Sequence, residues 1–166
     1  MKISFQQVFY LRNLLFWLLS FYFNFVEINI NIMEEYTLSY LGDLRVKARH
    51  ERSGTEIITD APVDNEGRGE SFSPTDLLAT SLGACMLSIL GITAKHNNIN
   101  IEGLAAKVKK IMTSNPRRVG EVIVELNFPP NNYSDKEKII FERAIKYCPV
   151  ILSLHEDVIK TIKINY

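Results

Sequence analysis

One apolar stretch, residues 73–97, constrains the fold of this chain more than any other feature. It opens with strong helix-start signals: Ser73 suits the N-cap, Pro74 suits the first helical position, and Asp76 completes a capping box. Apolar residues then recur every three or four positions, which predicts one long helix whose stripe faces a core or a partner. The stripe contains Leu78, Leu82, Cys85, Ile89 and Ile92. Small residues beside Cys85 leave room for a second helix or for a substrate.

The segments around this helix predict six strands and two further helices. The strands are expected at 36–41, 44–50, 55–59, 104–112, 119–128 and 158–164. One helix starts at a Ser134 capping box and ends near Tyr147, and a shorter one runs from Cys148-Pro149 to about His155. The order β-β-β-α-β-β-α-α-β predicts an α+β fold, because Rossmann and barrel folds alternate strands with helices.

Composition excludes several classes of function. The chain has 166 residues, 46% of them hydrophobic, and a net charge of zero, which suits one domain without a nucleic-acid footprint. Two cysteines exclude a cysteine-only zinc site, and the histidines His50, His96 and His155 are too scattered to suggest metal ligands. No glycine-rich phosphate loop occurs, so a nucleotide cofactor is unsupported. We expect neither a metal nor an organic cofactor.

Residues 1–32 differ from the rest of the chain. The run 14–26 is apolar and aromatic and follows Lys2 and Arg12, so it superficially resembles a signal sequence. It is shorter than the ~20 residues of a membrane span, and no cleavage site of small residues follows it. We therefore expect 1–32 to be upstream translation or a leader, the fold to occupy 33–166, and the protein to be cytoplasmic without stable membrane association. Export with a permanent disulfide is less favoured, since one bridge adds little to a domain of this size.

The two cysteines leave three readings open: one disulfide, two inert core thiols or a catalytic pair. A catalytic pair needs one thiolate to attack an electrophile and a second thiol to condense with the product. Cys148 precedes a short helix, whose free N–H groups favour a thiolate, whereas burial disfavours one at Cys85. Local reasoning therefore makes Cys148 the more acidic thiol, unless an upstream arginine reaches Cys85. The upstream arginines are Arg45, Arg49, Arg52 and Arg68.

The run EGRGESFSPTDLLATSLGACMLSIL at 66–90, followed later by Cys148-Pro149-Val150, resembles the OsmC/Ohr family of bacterial hydroperoxide reductases. The resemblance covers nearly all of 33–166. It implies an intertwined homodimer in which strands wrap two long central helices, with two active sites at the subunit interface. It also implies that Cys85 is the peroxidatic nucleophile, that Cys148 resolves it as a disulfide, and that a dithiol such as dihydrolipoamide or dithiothreitol is the reductant. These roles make Cys85 the reactive thiol, whereas the local helix argument favours Cys148.

One position departs from this resemblance. The best-characterised members carry a glutamate directly after the helix-opening proline, salt-bridged to an arginine that activates the nucleophile, and this chain has Thr75 there. Asp76 follows one residue later and suits a capping role. We expect Glu70 to supply the carboxylate and Arg68 the cation, because both lie in the loop that leads into the helix.

The resemblance therefore predicts a peroxidase that reduces organic hydroperoxides to alcohols in defence against oxidative stress. The alternative is a non-catalytic OsmC-like dimer that binds a lipid or small metabolite in its interface pocket, with both thiols structural. The departure at Thr75 favours the alternative, and the retention of both cysteines favours the enzyme.

Overall fold

The computed structural model describes residues 34–166. Its elements follow the predicted order, so the α+β prediction is confirmed. They are β1 Tyr36–Gly42, β2 Arg45–His50, β3 Glu56–Asp60, α1 Pro74–Asn97, β4 Ala105–Ser114, β5 Arg117–Asn127, α2 Asp135–Lys146, α3 Pro149–Ser153 and β6 Ile159–Asn165. A short 3₁₀ turn at Val63–Asn65 was not predicted. The predicted extension 1–32 lies outside the described residues, so a fold beginning at Met33 stays a prediction.

The described residues divide into two compact units. One comprises 34–39 and Lys47–Ile57, where the Tyr36 and His50 rings lie 5.4 Å apart. The other comprises Tyr40–Val46 and Ile58–Tyr166, and it holds the core and both cysteines.

The start of α1 forms as its sequence predicts. The Ser73 hydroxyl accepts a hydrogen bond from the Asp76 N–H, and the Asp76 carboxylate accepts one from the Ser73 N–H. This capping box satisfies donors that a helix start otherwise leaves unpaired. The helix ends where Asn98 adopts a left-handed conformation and donates its N–H to the carbonyl groups of Ala94 and Lys95.

The buried face of α1 differs from the predicted stripe. Leu78 and Ile92 are 41% and 56% exposed, and the buried residues are Ala79, Leu82, Gly83, Met86, Leu90 and Ala94. The observed buried face is rotated about the helix axis by about 100° from the predicted face, which is the angle between successive residues of an α-helix. The physical reason is that α1 is apolar on two adjacent faces, and only one packs within the chain. Among the described residues α1 is the helix long and apolar enough to cross a membrane, a property that core helices share.

The sheet β4–β5–β6 supplies the surface on which α1 packs. Strands β4 and β5 are antiparallel, whereas β6 pairs with β5 in parallel after the crossover through α2 and α3. Val122, Val124 and Leu126 alternate along β5 and are fully buried, as their spacing predicts. The strands β1, β2 and β3 form a separate sheet in that order.

We predict that Leu90→Ala lowers the free energy of unfolding by about 2–5 kcal/mol, because it leaves a cavity in place of a fully buried side chain. Urea denaturation followed by circular dichroism measures this. Leu152→Ala is the matched control, because Leu152 is 70% exposed and its loss should change stability little. Equal losses in the two variants would contradict the assignment of the core.

Candidate active site

The two cysteines, distant in sequence, lie side by side in the structure. Cys85 is in the middle of α1, and Cys148 is the N-cap residue of α3. Their Sγ atoms are 2.8 Å apart, and both thiols are free. A disulfide has an S–S bond of about 2.05 Å, so joining the two sulfurs requires only a small movement. The structure therefore brings together the two cysteines that the sequence predicts as a pair.

The two thiols have different environments. Cys148 is fully buried, whereas Cys85 is partly exposed. Burial raises the pKa of the Cys148 thiol, and so does its hydrogen bond to Cys85, while the N–H groups of Ile151 and Val150 lower it by less. Cys148 thus keeps its proton and donates its S–H to the Cys85 sulfur. The helix start was expected to lower the pKa of Cys148, but burial and the hydrogen bond to Cys85 outweigh the N–H donors of this five-residue helix and raise it.

The predicted loop residues Arg68 and Glu70 take different partners. The Arg68 guanidinium pairs with Asp43, and both side chains are largely exposed. Glu70 accepts a hydrogen bond from Arg45 at 2.7 Å. Within one chain the structure therefore does not join Arg68 to Glu70, and their catalytic roles stay predictions.

Arg45 is held by a buried carboxylate that the sequence did not single out. Its Nε and Nη2 atoms donate to the two carboxylate oxygens of Asp60 at 2.7 and 3.0 Å, and Asp60 is 2% exposed. The Glu70 N–H adds a third hydrogen bond to Asp60. The Arg45 guanidinium holds the pKa of Asp60 below its usual range, and both carboxylates raise the pKa of Arg45. The only sequence signal for Asp60 is its place at the end of a strand.

A second polar cluster surrounds the start of α1. The Lys110 ammonium contacts Thr75 Oγ1 at 2.6 Å, Asp76 Oδ1 at 2.7 Å and Ser73 Oγ at 3.1 Å. Burial raises the pKa of Asp76, but hydrogen bonds from Lys110 and Ser73 outweigh it and leave the pKa lowered. Thr75, which stands where the resembling family has glutamate, thus accepts a hydrogen bond from a lysine. Strand alternation alone gave no reason to select Lys110.

The thiol pair and the cluster at the helix start are separate within one chain. Thr75 precedes Cys85 by ten positions in the same helix, which corresponds to about 15 Å along its axis. A side chain at the start of α1 therefore does not reach the Cys85 sulfur of its own helix. Among residues 34–166, no group of three or more histidine, cysteine or acidic side chains is placed to hold a metal ion.

Comparison with known proteins agrees with this fold and with the cysteine motif. A family model described as OsmC-like protein matches residues 67–163, which include both cysteines. The chain belongs to the OsmC-like family. The predicted resemblance is therefore confirmed at the level of the family.

Solved structures of OsmC-like and related proteins share this fold. A protein of Psychrobacter arcticus 273-4, named for osmotic stress induction and detoxification response, is 49% identical; the match covers 80% of this chain and 96% of that one, with a TM-score of 0.76. An organic hydroperoxide resistance protein of Legionella pneumophila is 14% identical, with coverages of 82% and 98% and a TM-score of 0.67. One of Bacillus subtilis is 16% identical, with coverages of 81% and 98% and a TM-score of 0.58. The last two likenesses show the fold alone. No curated protein matches the chain.

We predict that Asp60→Asn lowers the urea midpoint at neutral pH, because it removes the charge that Arg45 binds. The lowered pKa of Asp60 means that its contribution is complete above the ordinary value near 3.8 and is lost as the pH falls through the folded-state value. The difference between wild type and Asp60→Asn should therefore shrink below about pH 4. Asp43→Asn is the control: it breaks an exposed pair and should change the midpoint little. A difference that does not depend on pH would contradict this account.

We predict that iodoacetamide modifies Cys85 well before Cys148 in the folded, reduced protein at neutral pH. Cys148 is fully buried and burial raises its pKa, so little thiolate is accessible there. Peptide mass spectrometry over a time course measures both rates, and labelling in urea provides the unfolded control, in which the rates should converge. Faster labelling of Cys148 in the folded protein would contradict the prediction that Cys85 is the more reactive thiol.

Proposed function

We propose that the chain is a thiol-dependent peroxidase that reduces organic hydroperoxides to alcohols in defence against oxidative stress. The observation that carries the proposal is the 2.8 Å separation of the Cys85 and Cys148 sulfurs. Membership of the OsmC-like family supports it, as do two structural neighbours named as organic hydroperoxide resistance proteins. The unequal environments of the two thiols support different roles for them.

In the first step, the Cys85 thiolate attacks one oxygen of the hydroperoxide. An S–O bond forms, the O–O bond breaks, and the departing alkoxide takes a proton to leave as the alcohol. Cys85 becomes a sulfenic acid, so the sulfur is oxidised and the peroxide is reduced. Cys85 is assigned this role because it is the partly exposed thiol, whereas Cys148 is buried and protonated.

In the second step, the Cys148 sulfur attacks the sulfenic sulfur of Cys85. The S–S bond forms, the S–O bond breaks, and the hydroxyl group leaves as water with the Cys148 proton. An external dithiol, such as a lipoyl group or dithiothreitol, then reduces the disulfide by exchange. These steps use no bound cofactor or metal. We place the protein in the cytoplasm, because the cytosol keeps dithiols reduced.

We also propose a homodimer formed through α1. The apolar stripe that carries Cys85 is incompletely covered in one chain, and Leu78 and Ile92 are largely exposed. Beside the stripe lies a row of small residues that allows a second helix to approach closely. They are Ser81, Ala84, Ser88 and Gly91. A second copy of α1 would bury the exposed apolar side chains of this surface.

In this dimer the cation near Cys85 would come from the partner subunit, because the polar residues at the start of α1 are about 15 Å from the Cys85 of the same helix. Arg45 suits this role better than Arg68. Arg45 binds Glu70, the carboxylate that the sequence suggested, and the buried Asp60 fixes its guanidinium. Arg68 pairs instead with the exposed Asp43.

A non-catalytic ligand-binding dimer is the second candidate. The contact between Thr75 and Lys110 favours it, because Thr75 stands where the resemblance leads us to expect a glutamate, and its hydroxyl accepts a hydrogen bond from Lys110 at 2.6 Å. Peroxide turnover distinguishes the two candidates.

We predict that the reduced protein consumes an organic hydroperoxide, such as cumene hydroperoxide, faster than hydrogen peroxide when dithiothreitol is supplied. Cys85→Ser should lower turnover to background, because it removes the nucleophile. Cys148→Ser should still consume one equivalent of peroxide and leave a sulfenic acid at Cys85, which dimedone traps. Peroxide consumption and intact-protein mass measure these outcomes.

The two serine variants act as controls for each other, because each removes one sulfur and leaves the other. Full turnover by Cys85→Ser would contradict the assignment of the nucleophile. A folded wild-type protein with two free thiols and no turnover of either peroxide would support the non-catalytic candidate.

A further inference from the structure

The reduced thiol pair places two sulfur atoms where a single third atom can bond to both. The Sγ atoms of Cys85 and Cys148 are 2.8 Å apart, and both cysteines are free. Two bonds to sulfur of about 2.3 Å, the length of a zinc–sulfur bond, span about 3.3 Å when they meet at a right angle. A bridging atom therefore requires the two sulfurs to move apart by only about 0.5 Å.

The surroundings of the two sulfurs are apolar. Cys148 belongs to the buried core, and Cys85 packs against that core, as do its neighbours Leu87 and Ile89. Within the part of the chain that the structure describes, the only side chain that is hydrogen-bonded to either sulfur is the other cysteine. A charged complex would lose its hydration here without gaining a counter-ion, so the site favours a neutral adduct.

A divalent metal ion suits this pair poorly. Structural zinc sites use four protein ligands, and residues 34–166 place no third histidine, cysteine or acidic side chain beside the two thiols. A metal ion also requires both thiols to lose their protons, whereas burial raises the pKa of Cys148. A suitable occupant must therefore need only two sulfur ligands and must accept the thiol protons itself.

A monosubstituted trivalent arsenical, such as an arylarsine oxide, meets both conditions. Its arsenic atom makes two bonds to sulfur, and the organic group holds the third position, so no further protein ligand is needed. The oxide oxygen takes up both thiol protons and leaves as water. The product is neutral, as the apolar surroundings of the pair require.

We propose that reduced Cys85 and Cys148 form a chelating site for monosubstituted trivalent arsenicals. The partly exposed Cys85 sulfur bonds to arsenic first, and its proton moves to the oxide oxygen to give an As–OH group. The Cys148 sulfur then bonds to the same arsenic atom, the As–OH bond breaks, and the hydroxyl group leaves as water with the Cys148 proton. Arsenic stays trivalent and neither sulfur is oxidised, so binding needs no oxidant or reductant.

Intact-protein mass spectrometry of the reduced, full-length protein with phenylarsine oxide tests this site. We expect one adduct per chain, with a mass increase equal to the reagent minus one water, because two As–S bonds release the oxygen. An adduct on one sulfur would keep the oxygen and add the full reagent mass. Excess 2-mercaptoethanol should leave the adduct in place, whereas dithiothreitol, which also offers two thiols, should remove it. Equimolar Zn²⁺ should not protect the thiols.

Cys85→Ser and Cys148→Ser should each bind phenylarsine oxide roughly 100-fold more weakly, because the second bond within a chain forms at a high effective concentration. Ser88→Ala is the matched control. Ser88 is an exposed residue of α1 about one turn after Cys85, and its loss removes no sulfur, so this variant should bind as wild type does. The disulfide form of the wild-type protein should not bind.

Four results would overturn the inference: retention of the reagent oxygen on the wild-type protein, unchanged affinity in either serine variant, protection by Zn²⁺, or one arsenical shared by two chains of Cys148→Ser. If a serine variant does not fold, the mass increase and the resistance to 2-mercaptoethanol on the wild-type protein still decide. The inference does not rest on the proposed peroxidase: an oxygen-free adduct on a protein without peroxide turnover would support this site and contradict that function.

Discussion

The packing of α1 against β4 and β5 is the constraint on which the candidate site depends. Gly83 faces β4 so closely that an added Cβ atom would lie 2.6 Å from Val108 Cγ2. This close approach restricts the rotation of α1 about its axis, since a larger side chain at position 83 would require Val108 or the helix to move. The same rotation places Cys85 at the edge of the buried face, where α3 brings Cys148 to it. The thiol pair is therefore a consequence of core packing.

Local signals predicted the elements of the fold well, because local interactions form them. Ser73, Pro74 and Asp76 define the start of α1 within four residues, and the structure contains the predicted capping box. The buried face of α1 was predicted wrongly because its sequence is apolar on adjacent faces. Periodicity shows that a stripe exists but not which of two stripes packs within the chain, so Leu78 was expected inside and Met86 was overlooked.

The candidate site was less predictable, because its contacts join residues that are far apart in sequence. Lys110 reaches Thr75 across 35 positions, and no local pattern distinguishes it from the other lysines of β4. The acidity of Cys148 was misjudged for a related reason: its helix position is visible in the sequence, but its complete burial depends on the tertiary fold. The family resemblance gives Cys148 the resolving role, which suits a buried thiol, and this role stays a prediction.

The inequality of the two thiols suits the proposed reaction better than two equally acidic thiols would. A Cys148 thiol that holds its proton does not compete with Cys85 for peroxide, because the thiolate is the nucleophile. Once Cys85 is a sulfenic acid, the same proton is available to the hydroxyl group that must leave as water. Cys148 loses its proton as it attacks the Cys85 sulfur. Its raised pKa therefore slows the attack but has no effect once the S–S bond has formed. Burial therefore keeps Cys148 from reacting with the peroxide itself. After Cys85 has been oxidised, the short distance between the two sulfurs favours formation of the disulfide.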